Sequence, residues 1–227
     1  MFFYQWACAA GLKISPTRID LSSQEPIAIF EITNTDIQDA LVESQLMRWT
    51  QKKGEDHYSP TKDILMIPPM FKLKPNQKQI VRFALRRTPH PEEMSYRVFL
   101  TDVVQRSLQI QQNGQAIKMK LRIGIPIFVS PSKKVINAPQ WTWEFINKKT
   151  LKLTLNNKGN VHIFIDQIQL FDKEKSICEP VKTFKYLLPG TKIAWKIAIK
   201  ATPITKNILV LTDDNGNKSK YNAWLSS

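Results

Sequence analysis

Residues that carry chemistry are scarce in this chain of 227 residues, which has two cysteines, three histidines and seven glycines. The histidines, His57, His90 and His162, stand far apart with no Asp or Glu at metal-ligand spacing, so neither a metal site nor an acid–base cluster is expected. A glycine-rich phosphate loop, a G-x-G-x-x-G turn and a G-x-S-x-G elbow are all missing. An enzyme is therefore not expected, and no cofactor, catalytic residue or metal is assigned.

Long apolar runs are missing too. No stretch approaches the roughly 18–20 consecutive apolar residues of a membrane-spanning helix, so no span is expected. Cys178 stands alone in the second half, and Cys8 lies in the apolar opening "MFFYQWACAAG". That opening ends in small residues, as a signal peptide does before its cleavage point, although it is short and has no cationic start. Residues 1–10 are expected to be the end of a signal peptide, removed at about Ala9 or Ala10. One thiol then remains and no internal disulfide is possible.

Acidic residues are also few: 19 against 33 Lys and Arg, a formal net charge of +14. Such an excess attracts phosphates. Here, however, the cations are spread singly, the longest clusters being pairs such as Lys52-Lys53 and Arg86-Arg87. No nucleic-acid motif accompanies them, and a solvated basic surface is the expected meaning; nucleic acid is not an expected partner.

What is abundant is strand. Runs of β-branched and aromatic residues recur between Pro, Gly, Asn and Asp, and helical periodicity is nearly absent. Seven runs precede Pro131, from "LKISPTRIDL" to the stretch 115–130. Seven more follow it, from "WTWEFIN" to "KYNAWLS". Seven is the strand count of an immunoglobulin-like sandwich. The fold class expected is all-β, two immunoglobulin-like β-sandwich domains in tandem (11–130 and 131–227), joined near Ser130–Lys134. Pro75-Asn76, Pro189-Gly190 and Asn215-Gly216 mark turns. No sequence repeat relates the halves at this level.

One strand stands out. In "IKMKLRIGIPIFVSP", 117–131, Ile117, Met119, Leu121, Ile123 and Ile125 fall on one face and Lys118, Lys120 and Arg122 on the other. An ordinary core strand accounts for the apolar row, but leaves the length of the run and its cationic side unexplained.

Several segments, in order, carry a family resemblance: "ISPTRIDL", "IPPMFKLKPNQKQIVRF", "SYRVFLTDV" followed by 115–131, then "NNKGNVHIFIDQI" and "YLLPGTKIAWKI". From about Leu12 to Ser227 the chain resembles the PapD-like periplasmic chaperones that assemble pili by the chaperone–usher route. "YRVFLTDV", "IGIPIFVSP" and "NKGNVHI" look most like the archaic, Csu-type branch. The resemblance implies an angled, boomerang-like molecule in the periplasm with two partners, pilin subunits and an outer-membrane usher. It also implies that the 117–125 row fills the groove of a pilin lacking its final strand, by β-strand addition.

Basic residues in such chaperones anchor the pilin's C-terminal carboxylate. By resemblance Arg18, in "SPTRIDL", is the first-strand anchor. The Lys expected on the last strand aligns with Pro126, so the second anchor is sought at Arg97 and, after it, at Arg122. Ser130 replaces the usual Arg before the junction proline; Asp213 and Asp214 match its acidic partner region, with Lys133 or Lys134 as substitute cations. The segment "VVQRSLQIQQNGQ" is short and free of cysteine, unlike the disulfide-stapled version found with thin fibres. The alternative left open is a two-domain immunoglobulin-like surface or periplasmic binding module without a chaperone role.

Overall fold

The computed structural model describes residues 7–9, 11–103, 107–108, 117–118, 122–203, 205, 207–214 and 217–226. Every regular element among them is a strand. In chain order these are β1 (Ala7–Ala9), β2 (Leu12–Ser15), β3 (Ile19–Leu21), β4 (Ile27–Asn34), β5 (Ala40–Lys52), β6 (Glu55–Pro60) and β7 (Ile64–Ile67). Next come β8 (Met70–Leu73), β9 (Lys78–Leu85), β10 (Met94–Asp102), β11 (Ser107–Leu108), β12 (Ile117–Lys118) and β13 (Arg122–Val129). The remainder are β14 (Pro139–Asn147), β15 (Thr150–Asn157), β16 (Ile163–Asp172), β17 (Lys175–Ser176), β18 (Val181–Leu187), β19 (Lys192–Ala198), β20 (Asn207–Asp214) and β21 (Asn217–Leu225).

The chain divides into two compact units. Unit 1 is Met1–Thr50, Tyr58–His90 and Met94–Ser132; unit 2 is Gln51–His57, Pro91–Glu93 and Lys133–Ser227. Unit 1 has one sheet ordered β1-β2-β4-β9-β7 and another ordered β3-β13-β10-β5-β6, with β8 on β5. Alternate residues of both sheets, among them Phe30, Ile32 and Phe83 from the first and Tyr96, Val98 and Ile127 from the second, meet in one core. Period-2 patterning thus supplies a layer from each sheet.

Unit 2 is connected differently from unit 1. Its strands form one hydrogen-bonded path, β17-β16-β20-β21-β14-β15-β19, with β18 on β16, around a core that includes Trp141, Trp143, Leu153 and Ile165. The link is β14, antiparallel to β15 along its length and parallel to β21 at Trp141–Trp143. In unit 1 the chain is interrupted at Pro16, which has no N–H to give a ladder. There β2 pairs with β4, and β3 separately with β13.

A repeat that no strand pattern reveals lies at a corner of each unit. Asn34 and Asn157 are fully buried. Asn34 Nδ2 donates to the carbonyls of Gln38 (2.7 Å) and Leu73 (3.1 Å), while its Oδ1 accepts from Asp36 N (3.0 Å). Asn157 Nδ2 donates to Val161 O (2.8 Å) and Leu187 O (3.1 Å), and its Oδ1 accepts from Gly159 N (3.0 Å). The main chains match as well. Asn34 N donates to Gln77 O and Asn76 N to Asn34 O; Asn157 N donates to Thr191 O and Gly190 N to Asn157 O. Both return turns read Pro-x-x-Lys, and Asn76 (φ 59°) and Gly190 (φ 69°) supply the positive φ each requires.

With the corners superposed residue by residue, β4 and β9 correspond to β15 and β19: Thr33 faces Lys78 as Asn156 faces Lys192. The copies differ on their outward face. In unit 1 it carries Ile27, Ile29, Ile80 and, from β7, Leu65 and Ile67, all exposed. The unit 2 counterparts of Ile27, Ile29 and Ile80 are Thr150, Lys152 and Ala194. The fold itself therefore does not demand an apolar surface here.

At another place in unit 1, Asp63 gathers three donors on one oxygen: Tyr96 Oη at 2.9 Å, Arg48 Nη1 at 3.1 Å and Arg87 Nη1 at 3.4 Å. Burial works against its charge, but the Tyr96 hydrogen bond and the Arg87 and Arg48 charges outweigh that and hold the carboxyl below its ordinary value of 3.8. Burial, with the Asp63 hydrogen bond and charge, pushes the Tyr96 phenol up.

Two outcomes are expected. Asn34→Asp and Asn157→Asp keep the shape but set a carboxylate against two carbonyls. Each should cost about 2 kcal/mol or more in urea unfolding, as buried polar groups lose their partners. Because the folded pKa of Asp63 is depressed, its contribution is present above the unfolded value and lost as pH falls through the folded one. Asp63→Asn should therefore flatten the fall in Tm between about pH 5 and pH 3; an unchanged acid limb would count against this role.

Candidate functional site: the β13 edge and the outward arginines

β13 lies along β10 over its whole length, from Arg122 opposite Thr101 to Val129 opposite Met94. Its other flank pairs with β3 only at Ile127–Val129. Among the described residues, Arg122–Pro126 therefore has an edge with no strand on it. Such an edge presents a row of main-chain donors and acceptors to any extended segment that fits.

The expected apolar row divides along this strand. Ile125 is 3% exposed and belongs to the core of unit 1, so it is not available to a partner and leaves the expected set. Ile123, one rung further out, is half-buried and packs against the margin of that core. Ile117 lies in β12, opposite Leu108 of β11; Met119 and Leu121 fall outside the described residues, as do the side chains of Asp213 and Asp214.

The opposite face of β13 holds Arg122, Gly124, Pro126 and Phe128. Arg97 stands directly across from Pro126 on β10. Ile19 pairs with Ile127, which places Arg18, the residue before β3, beside the same rung from the other side. Its Nε donates to Asp20 Oδ2 at 3.0 Å, and the side chain is exposed rather than buried. The structure thus brings Arg18 and Arg97 to the two flanks of Pro126, where the resemblance expects one lysine.

Aromatic rings that sequence reasoning passed over hold these cations. The Arg97 guanidinium lies 4.0 Å from the Trp49 ring centroid, and its Nη1 donates to Tyr58 Oη at 2.9 Å. Tyr58 meets Phe99 edge-on at 5.0 Å, and the Arg122 guanidinium covers Phe99 at 4.0 Å. Trp49 also tilts against Phe128 at 6.0 Å, leaving Phe128 2% exposed although it points outward. Stacking fixes the plane of a guanidinium, and the N–H fork of a guanidinium matches a carboxylate in shape. Their one sequence signal was the recurrence of aromatics at outward positions of neighbouring strands.

The family model for pili and flagellar-assembly chaperones, PapD N-terminal domain, matches residues 11–134, more than half of the chain. The chain belongs to this family of pilus-assembly chaperones. Comparison with curated protein sequences finds no match. Among solved structures, the chain is similar to one from the CsuC–CsuE chaperone–tip adhesion subunit complex of archaic Csu pili of Acinetobacter baumannii. That likeness has a TM-score of 0.70 and 19% identity, covering 96% of this chain and 100% of that one. It is also similar to the Salmonella enterica SafA pilin–SafB chaperone complex (TM-score 0.59, 16% identity, 96% and 98% covered). The E. coli chaperone DraB gives a TM-score of 0.58 at 16% identity, with 95% and 96% covered. At such identities these likenesses establish the shared fold.

Proposed function

We propose that this protein works in the periplasm, capping pilin subunits that lack their final strand and handing them to an outer-membrane usher. The observation that carries this reading is the open flank of β13 at Arg122–Pro126, in line with the alternating row Ile117, Met119, Leu121 and Ile123. Main-chain hydrogen bonds along that flank hold the client's edge, and the apolar row enters its groove. Four side chains at about 1.5–3 kcal/mol each give roughly 6–12 kcal/mol gross, before association and ordering costs reduce it. Arg18 and Arg97 grip the client's C-terminal carboxylate, with Arg122 in reserve; Arg97 takes the place of the missing lysine on β13.

A hand-over requires a second surface that stays exposed while the client is held. The outward face of Ile27, Ile29, Leu65 and Ile67 suits that condition, since it is exposed and lies on the sheet of unit 1 that does not contain β13. We assign the usher contact to this face.

Leu121→Asp places an unpaired charge in the client's core, at a cost of several kcal/mol. Co-purification with a pilin client should fail while the free protein keeps its circular dichroism and Tm; Lys120→Asp, on the other face, should bind nearly as well. Unfolding of free Leu121→Asp would instead make this an ordinary core strand. Ile29→Lys, which installs the unit 2 residue, should weaken capture by the usher and leave client binding intact. Undiminished usher binding would remove that face from the reading.

A further inference from the structure

Glycine weakens a strand interior and commonly marks a place where something else comes close. Gly124 sits mid-strand in β13, and its φ is not among the positive ones, so conformational freedom does not account for it. Space does. A Cβ built there would lie 3.0 Å from Arg97 Cδ and 3.2 Å from Phe99 Cε1, nearer than packed side chains ordinarily come. Arg97 is opposite Pro126 in register, yet its stem occupies the room above Gly124.

We propose that Gly124 is a positioning residue for the Arg97 guanidinium, the missing side chain being what lets that stem reach its seat on Trp49 and Tyr58. This rests on the reading of Arg97 as a carboxylate anchor. The guanidinium is held at one end by the Trp49 ring and the Tyr58 hydroxyl. A methyl group at 124 makes the stem at the other end give by a few tenths of an ångström, which turns the fork on its seat. Paired N–H···O bonds to a carboxylate depend on that orientation and tolerate little misplacement. The backbone, by contrast, accepts alanine at this φ.

The experiment measures affinity for a synthetic pilin C-terminal peptide made in two forms, with a free carboxylate and with a C-terminal amide. The wild-type chain should prefer the carboxylate by about tenfold or more, the worth of a charge-assisted hydrogen bond. Arg97→Ala should lose most of that preference. Gly124→Ala should lower it at least about threefold, a partial loss of such a bond, with affinity for the amide form unchanged. The side-chain Nε–H resonance of Arg97, shifted by the Trp49 ring, should move towards that of a free arginine. If Gly124→Ala keeps the full preference and an unmoved resonance, the inference is overturned while the anchor stands. If the wild type does not distinguish the two peptides, the anchor reading itself falls. Should Gly124→Ala fold poorly, the same substitution in an Arg97→Ala background decides. A smaller loss of Tm there supports a clash with the Arg97 stem, and an equal loss shows that the strand alone requires glycine.

Discussion

One strand has a fully paired flank and a largely open one, and much of unit 1 is arranged around that constraint. Ile125, Ile127 and Val129 fasten β13 into its own sandwich, between β10 along one flank and β3 along part of the other. Without that fastening, an alternating strand of this length would be a free segment, which pays its full ordering entropy on binding. With it, the strand is held against β10 out to Arg122. β3 covers three residues only, and where it stops the open flank begins.

The proposed carboxylate grip draws on the same geometry. On a strand that carries a proline at the rung proposed for the anchor, the cation must come from a neighbour. Arg97 reaches that rung from β10, across a rung whose side chains share one face. An arginine placed there has a longer path than a lysine rising from β13 itself, and the rings of Trp49 and Tyr58 limit where it can end. The aromatic and cationic residues of the outward face thus form one mechanical unit, with Phe99 joining the Arg97 half to the Arg122 half.

How far the sequence discloses this depends on the range of each signal. Period-2 alternation made the strands and the apolar face of 123–129 legible, because that periodicity is local. It could not place Ile125 in the protein's own core and leave Ile123 at its margin: both have the same phase and both lie on the flank that β3 leaves open, and only the packing of the core separates them. The Asn34 and Asn157 corners went unseen for a different reason. Their partners lie 39 and 30 residues away, and the shared letters reduce to an Asn and a Pro-x-x-Lys turn. Unit 2's single sheet path was likewise invisible, since nothing in "WTWEFIN" tells that it has neighbours on both flanks. Arg18 and Arg97 could be named by resemblance, but their convergence on Pro126 needed the register.

Pro126 ties these threads together. Within a sheet, proline is confined to edges, strand starts and bulges, because it has no N–H for the ladder. Its neighbour Ile127 is the first β13 residue paired with β3, so Pro126 stands where cover on that flank ends. A lysine at this position would leave a complete backbone donor set on an exposed edge and add a mobile charge beside it. Proline instead removes a donor from an edge open to unwanted strands, one of the ordinary protections of such an edge. The charge of the proposed anchor then has to arrive from β10, over a strand kept low by glycine two residues away. The departure from a lysine at this rung and the glycine at 124 are, on this view, two consequences of one choice about how to guard the edge.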